Sequence, residues 1–208
     1  MHIEILNNSQ KGVLASLGKV LEGTDYYLAG GTALALQLGH RRSIDFDWFI
    51  RKLGEPEALF GLLKTLKIDY AVQSVSFETV YLTVEGVHNS FIGYDYPMLR
   101  NRVRLTDVGV QMASIEDIAC MKLSAVASRG SRKDFFDLHH LISHGYPLED
   151  CLHLYREKYQ NRDLGHVIRS LVYFADADAE PEVKMIKPVE WKDIMNDFER
   201  WVNDVVPK

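Results

Sequence analysis

The spacing of apolar and polar positions divides the chain into two parts. In the first, "SQKGVLASLGKVL" repeats its apolar residues at helical spacing over residues 9 to 21, and "YYLA" follows as a short buried strand. Gly30 and Gly31 punctuate that strand, and "TALALQL", opened by Thr32, predicts a short helix of strong helix formers. After "GHRRS", the segment "IDFDWFI" sets Ile44, Phe46 and Trp48 on one face and Asp45 and Asp47 on the other, which predicts a strand with one acidic face. "EPEALFGLLKTLK" reads as a helix with Pro56 near its start, and "YAVQSVS" and "TVYLTVEGVHNSFIGYDYP" read as strands with Glu85-Gly86 as a hairpin turn. A further short strand is expected at "VGVQMA".

From Ser114 onward the period is helical. "SIEDIACMKLSAVASRGSRKDFFDLHHLISHGYPLEDCLHLYREKY" opens with Ser114 and Asp117 spaced like a capping box. "LGHVIRSLVYF" predicts one amphipathic helix, "ADADAEPEVKMIKP" a loop, and "VEWKDIMNDFERWVNDVV" a closing helix. The expected class is α+β: a mixed β-sheet flanked by helices over residues 1–113, then an all-helical lobe over 114–208. No Gly/Ser linker separates them.

Composition narrows the picture. A hydrophobic content of 47% with 25% charged residues fits a soluble globular protein. The chain has no run of about 18 apolar residues and no basic leader before an apolar stretch, so a cytoplasmic protein without a membrane partner is expected. Cys120 and Cys151 sit among apolar helical neighbours and read as buried thiols. A formal charge of −5 argues against nonspecific coating of nucleic acid. Local basic clusters remain at Arg41 with Arg42, at Arg100, Arg102 and Arg104, and at Arg129, Arg132 and Lys133, each of which also reads as solvated surface.

The chemistry concentrates on the acidic strand. Two carboxylates at i and i+2 point the same way and repel unless a cation lies between them. An oxygen-only pair suits Mg²⁺, or Mn²⁺, which takes its other ligands from water and substrate phosphates. Gly30 and Gly31 stand between a strand and a helix, where backbone N–H groups face an anion and no side chain blocks its approach.

"LAGG", thirteen residues and then "DFD" resembles the signature of the DNA polymerase β-like nucleotidyltransferase superfamily. "AGGTALALQLGHRRSIDFDWF" is similar, more closely, to the AbiEii/AbiGii toxin branch, the nucleotidyltransferase component of type IV toxin-antitoxin and abortive-infection systems. A second block, "SIEDIACMKLSAVASRGSRKDFFDLHHL", resembles later motifs of that branch, and "SLVYFADADAEPEVKM" its C-terminal stretch. The resemblance implies a nucleotidyltransferase-type sheet whose active-site cleft the helical lobe completes. It implies that Gly30, Gly31, Asp45 and Asp47 bind triphosphate and metal, that Lys122 contacts the phosphates, and that Asp134 and Asp137 complete the site. Thr32, Arg42 and Ser43 fall inside the motif as further nucleotide-binding candidates. The implied reaction is Mg²⁺-assisted transfer of a nucleoside monophosphate from an NTP to a hydroxyl of RNA, tRNA in particular, by a toxin with a cognate antitoxin.

One departure and several alternatives stay open. Superfamily polymerases place a third carboxylate on a neighbouring strand, and "GVHNSFIGY" offers Ser90 but no acid. Either Asp134 or Asp137 takes that role, or the chain binds NTP as a sensor with little or no transfer; a protein hydroxyl is the competing acceptor. Arg42 orients a carboxylate or phosphate, or is a loop charge. Asp134 and Asp137 instead cap a helix or pair with Arg132 or Lys133. His139, His140, His144 and His153 lack a zinc-ligand spacing and read as packing or surface residues.

Overall fold

The computed structural model describes residues 1–65, 69–161 and 163–206. The end of the helix expected over "EPEALFGLLKTLK", at Leu66 and Lys67, lies outside the described residues, as does the end of the expected helical lobe at Pro207 and Lys208. The chain forms two compact units, one of Met1–Pro97 with Asn101–Ser114, the other of Met98–Arg100 with Ile115–Lys208.

The first unit opens with α1 (Asn8–Leu21), started by a reciprocal cap in which the Asn7 side chain accepts from the Gln10 N–H at 2.9 Å and the Gln10 side chain accepts from the Asn7 N–H at 2.8 Å. Its apolar stripe, Val13, Leu14, Leu17 and Leu21, is buried. Strand β1 (Tyr27–Ala29) runs directly into α2 (Gly30–Leu38), and β2 (Phe46–Ile50) and α3 (Pro56–Leu63) follow. Then come β3 (Tyr70–Ser76), β4 (Thr79–Val84), β5 (Val87–Gly93), β6 (Val103–Leu105) and β7 (Val110–Met112). They form one seven-stranded mixed sheet in the order β3-β4-β5-β2-β1-β7-β6. The pairs β1–β7 and β2–β5 are parallel; the others are antiparallel.

Register sets alternate rungs of the sheet on opposite faces. Leu28, Trp48, Phe91 and Val80 stand in one rung, all buried, with the Trp48 and Phe91 rings stacked 6.3 Å apart. One residue along, the rung reads Ala29, Asp47, Ser90 and Tyr81 and points the other way. At the hairpin, Glu85 (φ 47°) and Gly86 (φ 77°) both adopt the left-handed conformation, the mirror-image turn that matches the twist of the flanking strands.

One strand expectation needs correction, and one strand was not expected. Strand β2 begins at Phe46, and Ile44 is 70% exposed instead of lying on the buried face with Phe46 and Trp48. The cause is tertiary: side chains of α1 and α2 hold residues 43–45 as a loop, described below. The strand expected at "VGVQMA" forms, and β6 pairs with it although "RVRL" carries arginines that mask a strand signal.

The second unit holds α4 (Ile115–Arg129), α5 (Arg132–Ser143), α6 (Leu148–Tyr159), α7 (Gly165–Ser170), α8 (Ala175–Asp178) and α9 (Trp191–Val205). The single helix expected over "LGHVIRSLVYF" stops at Ser170, and α8 lies inside the expected loop. The break turns Phe174 inward against Phe135 and Trp191, at ring distances of 5.3 and 5.8 Å, and Phe198 completes the cluster 5.4 Å from Phe135. Aromatic burial outweighs the helical period there.

Asp117 explains why Met98–Arg100 group with the helices. Its fully buried carboxylate accepts the backbone N–H of Leu99 at 3.0 Å and of Arg100 at 3.1 Å, and the Lys158 ammonium at 2.6 Å. Lys158 is itself 1% exposed, so removing either charge strands the other in the interior. The substitution Lys158→Met is expected to lower stability by about 3–5 kcal/mol in urea unfolding; an unchanged midpoint would show that this pair is dispensable.

Candidate active site

The turn from β1 into α2 is made by Gly30. Its φ of +68° lies in the left-handed region, and a β-carbon built there would stand 2.7 Å from Oδ2 of Asp47. Both facts call for glycine. Ala29, the residue before the helix, makes no side-chain cap, so the first-turn N–H groups of α2 depend on other partners. Asp47 thus places one carboxylate oxygen against Gly30, while its other oxygen, Oδ1, accepts from the Ser90 hydroxyl on the parallel neighbour β5. The pairing Asp47↔Ser90 is in exact register, flanked by Phe46↔Asn89 and Trp48↔Phe91. Trp48 Nε1 donates to Asn89 Oδ1 at 3.0 Å, and this bond ties β2 to β5 one rung away.

Asp45 stands just before β2. Its backbone carbonyl accepts from the Thr32 hydroxyl, which lies 2.6 Å from the Ser43 hydroxyl, and the Gln10 side-chain amide donates to the Ser43 carbonyl at 2.7 Å. Thr32 is buried, so the first turn of α2 fixes both the glycine turn and the loop that carries Asp45. Arg41 is buried and its guanidinium donates to the Arg42 carbonyl at 3.0 Å, whereas Arg42 is exposed. Gly30, Gly31, Thr32, Ser43, Asp45 and Asp47 therefore share the β1–α2 and β2 junctions of one unit. The α1 contribution, Gln10, was not legible from the sequence, because an amide 33 residues from Ser43 in a helix carries no local signal.

In the second unit Lys122, Asp134 and Asp137 are brought together. Lys122 Nζ lies 2.7 Å from Asp134 Oδ1 and 2.5 Å from Asp137 Oδ2, with Lys122 4% exposed and both acids fully buried. Arg129 adds a second hold on Asp134, Nε donating at 2.7 Å and Nη2 at 3.0 Å. These partners replace the Arg132 or Lys133 pairing weighed from spacing. Burial pushes the Asp134 carboxyl up, but the Lys122 charge and the Arg129 bonds and charge outweigh it, and its pKa is lowered. Arg132 instead donates to the Glu180 carbonyl and lies over the Trp191 ring.

Other candidates take structural places. A cavity of about 410 Å³ elsewhere in the first unit is lined in part by Tyr26, Arg102, Arg104 and Gln111, and neither Asp45 nor Asp47 lines it. Within it Arg104 pairs with Glu22 at 2.9 Å, and Arg102 stacks 4.4 Å over Tyr27. His139 pairs with Asp197 at 2.9 Å, and His140 stacks on His144. Among the described residues no group of three or more His, Cys, Asp or Glu could hold a metal ion. Cys120 and Cys151 are buried free thiols, both pushed up to about 12 chiefly by burial. No helix of the described residues is long and apolar enough to cross a membrane.

The mixed sheet with its flanking helices is a nucleotidyltransferase-type fold. Two solved structures share it: MenT4, a nucleotidyltransferase toxin of Mycobacterium tuberculosis, with TM-score 0.63, 14% identity and coverage of 94% of this chain and 83% of that one; and JHP933 of Helicobacter pylori, with TM-score 0.57, 19% identity and coverage of 94% and 89%. At those identities the likeness concerns the fold. Residues 68–205 match the family described as "Nucleotidyl transferase AbiEii toxin, Type IV TA system". An uncharacterized protein of Aquifex aeolicus is 37% identical over 204 residues, 96% of this chain and 97% of that protein. The chain belongs to the AbiEii family and is a nucleotidyltransferase. The family match begins downstream of Gly30 and Asp47, so it is independent of that motif.

Two outcomes test this geometry. Gly30→Ala forces a left-handed alanine at a cost of about 1–2 kcal/mol, and its methyl must also displace Asp47, so the urea midpoint is expected to fall by at least that much; an unchanged midpoint contradicts the close approach. Removing the cation in Lys122→Ala is expected to cost about 3–5 kcal/mol at neutral pH. Because the folded Asp134 pKa is lowered, the pair's contribution is complete above the ordinary carboxylate value and is lost as pH falls through it toward the lowered one. The stability gap between wild type and Lys122→Ala should therefore close on acidification, as followed by urea unfolding at several pH values; a gap that does not change with pH contradicts this.

Proposed function

We propose that the chain uses Mg²⁺ or Mn²⁺ to move a nucleoside monophosphate from an NTP to a hydroxyl of RNA, tRNA in particular, and is the toxin of a pair with a cognate antitoxin. The observation that carries the reading is the rung at Asp47, with one carboxylate oxygen against Gly30 and the other taking the Ser90 hydroxyl. Asp45 and Asp47 offer hard oxygen ligands, which suits a small divalent cation that takes its remaining ligands from water and phosphates. When bound, that cation supplies charge neutralisation at the phosphates.

The chain's own residues do the rest. The first-turn N–H groups of α2, from Gly30 through Thr32, favour the negative charge of a phosphate at the β1–α2 turn. Thr32 and Gln10 hold Ser43 and the Asp45 backbone in place, so the loop needs little reordering when a nucleotide arrives. Arg42, exposed beside that loop, supplies a cation at the same junction. Lys122, Asp134 and Asp137 enter this reading through the family motif, and their ion pairs keep the Lys122 ammonium at one place on α4. The acceptor is an RNA hydroxyl in this account, as the sequence resemblance implies, and a protein hydroxyl is the competing outcome.

The test incubates the purified chain with Mg²⁺, each α-labelled NTP in turn and total RNA. Label is expected in RNA with at least one NTP. Loss of a metal ligand removes several kcal/mol of charge stabilisation, so Asp45→Asn and Asp47→Asn are each expected to cut labelling by about a hundredfold or more. Label on protein alone would move the acceptor to a protein hydroxyl. Retained NTP binding with no label anywhere would leave a nucleotide sensor.

A further inference from the structure

We propose that Ser90 is a positioning residue for Asp47, fixing the carboxylate in the orientation in which it receives a divalent cation; this rests on the functional reading above. The residues of β5, Val87–Gly93, include no acid, and Ser90 is the one placed opposite Asp47 in the parallel ladder. Ser90 is 6% exposed, and its hydroxyl donates to Asp47 Oδ1. The other oxygen, Oδ2, occupies the space beside Gly30 that a β-carbon would fill.

An aspartate on a strand rotates readily about its terminal bond. Here the Ser90 hydroxyl on the neighbouring strand holds one oxygen, and the other lies in the space beside the bare α-carbon of Gly30. The rung cannot slide to relieve the contact, because Asn89 and Phe91 on either side of Ser90 are buried against Phe46 and Trp48, and Asn89 also accepts from the Trp48 indole. A hydroxyl in this place orients Asp47 without adding negative charge. A carboxylate there would face Asp47 across the rung and repel it until a cation bound. Groups that orient a metal ligand typically change metal affinity by about 10–100-fold when removed.

The experiment titrates the full chain with Mn²⁺ alone and reads free Mn²⁺ by electron paramagnetic resonance, so it does not depend on turnover. Ser90→Ala is expected to weaken Mn²⁺ binding about tenfold or more with its thermal midpoint close to that of wild type, and Ser90→Thr, which keeps the hydroxyl, to restore binding. Ser90→Ala binding Mn²⁺ as tightly as wild type, no Mn²⁺ binding by the wild-type chain, or equal losses in Ser90→Ala and Ser90→Thr would each overturn the positioning role. Asp47→Asn is the separate arm. If Asp47→Asn binds Mn²⁺ like wild type, the metal-site reading itself falls; if only Asp47→Asn loses binding, that reading stands and the role of Ser90 falls.

Discussion

A carboxylate that leans on a bare α-carbon sets the terms for the first unit. Asp47 can occupy its place only because Gly30 has no side chain, and Gly30 can turn β1 into α2 only because glycine accepts a φ of +68°. The same turn starts the helix whose third residue, Thr32, pins the Asp45 loop through its hydroxyl. The placement of Asp47 and the backbone geometry of the turn are therefore one constraint. Any side chain at residue 30 would both strain the left-handed turn and fill the space Asp47 uses.

Electrostatics in the second unit follow a different logic. Lys122 with Asp134 and Asp137, and Lys158 with Asp117, are charges held in the interior at close distances. Each is neutralised locally, so the helices can pack around Phe135, Phe198 and Leu123 without leaving a charge uncompensated. Residues that the family motif marks for chemistry thus also carry a structural duty in this unit. Mutational loss of activity at Lys122 or Asp134 must be read together with stability, because both effects start from the same ion pairs.

Much of this was legible in the sequence where local signals agree with the fold. The helical periods of α1, α4 and α9, the Glu85-Gly86 hairpin and the glycine turn ahead of the acidic strand all appear in the structure. The failures have physical causes. The alternation in "IDFDWFI" extended the strand back to Ile44, but Thr32 and Gln10 capture the preceding residues, a tertiary effect that period alone does not encode. The amphipathic pattern of "LGHVIRSLVYF" ran through Ser170 because Phe174 satisfies helix spacing and aromatic packing equally, and packing prevails. At the site, residue types pointed to metal and phosphate. That Ser90 would bond Asp47, and that Lys122 would bind its own two acids, depended on strand register and helix packing.

The central claim is that this site transfers a nucleoside monophosphate rather than a phosphate group or nothing. The most direct measurement supplies the purified chain and Mg²⁺ with the same NTP labelled at either the α or the γ phosphate, in the presence of RNA. The account predicts label in RNA from the α position alone, with one pyrophosphate released per nucleotide added. Label arriving from the γ position, or pyrophosphate release that Asp47→Asn does not diminish, would contradict it.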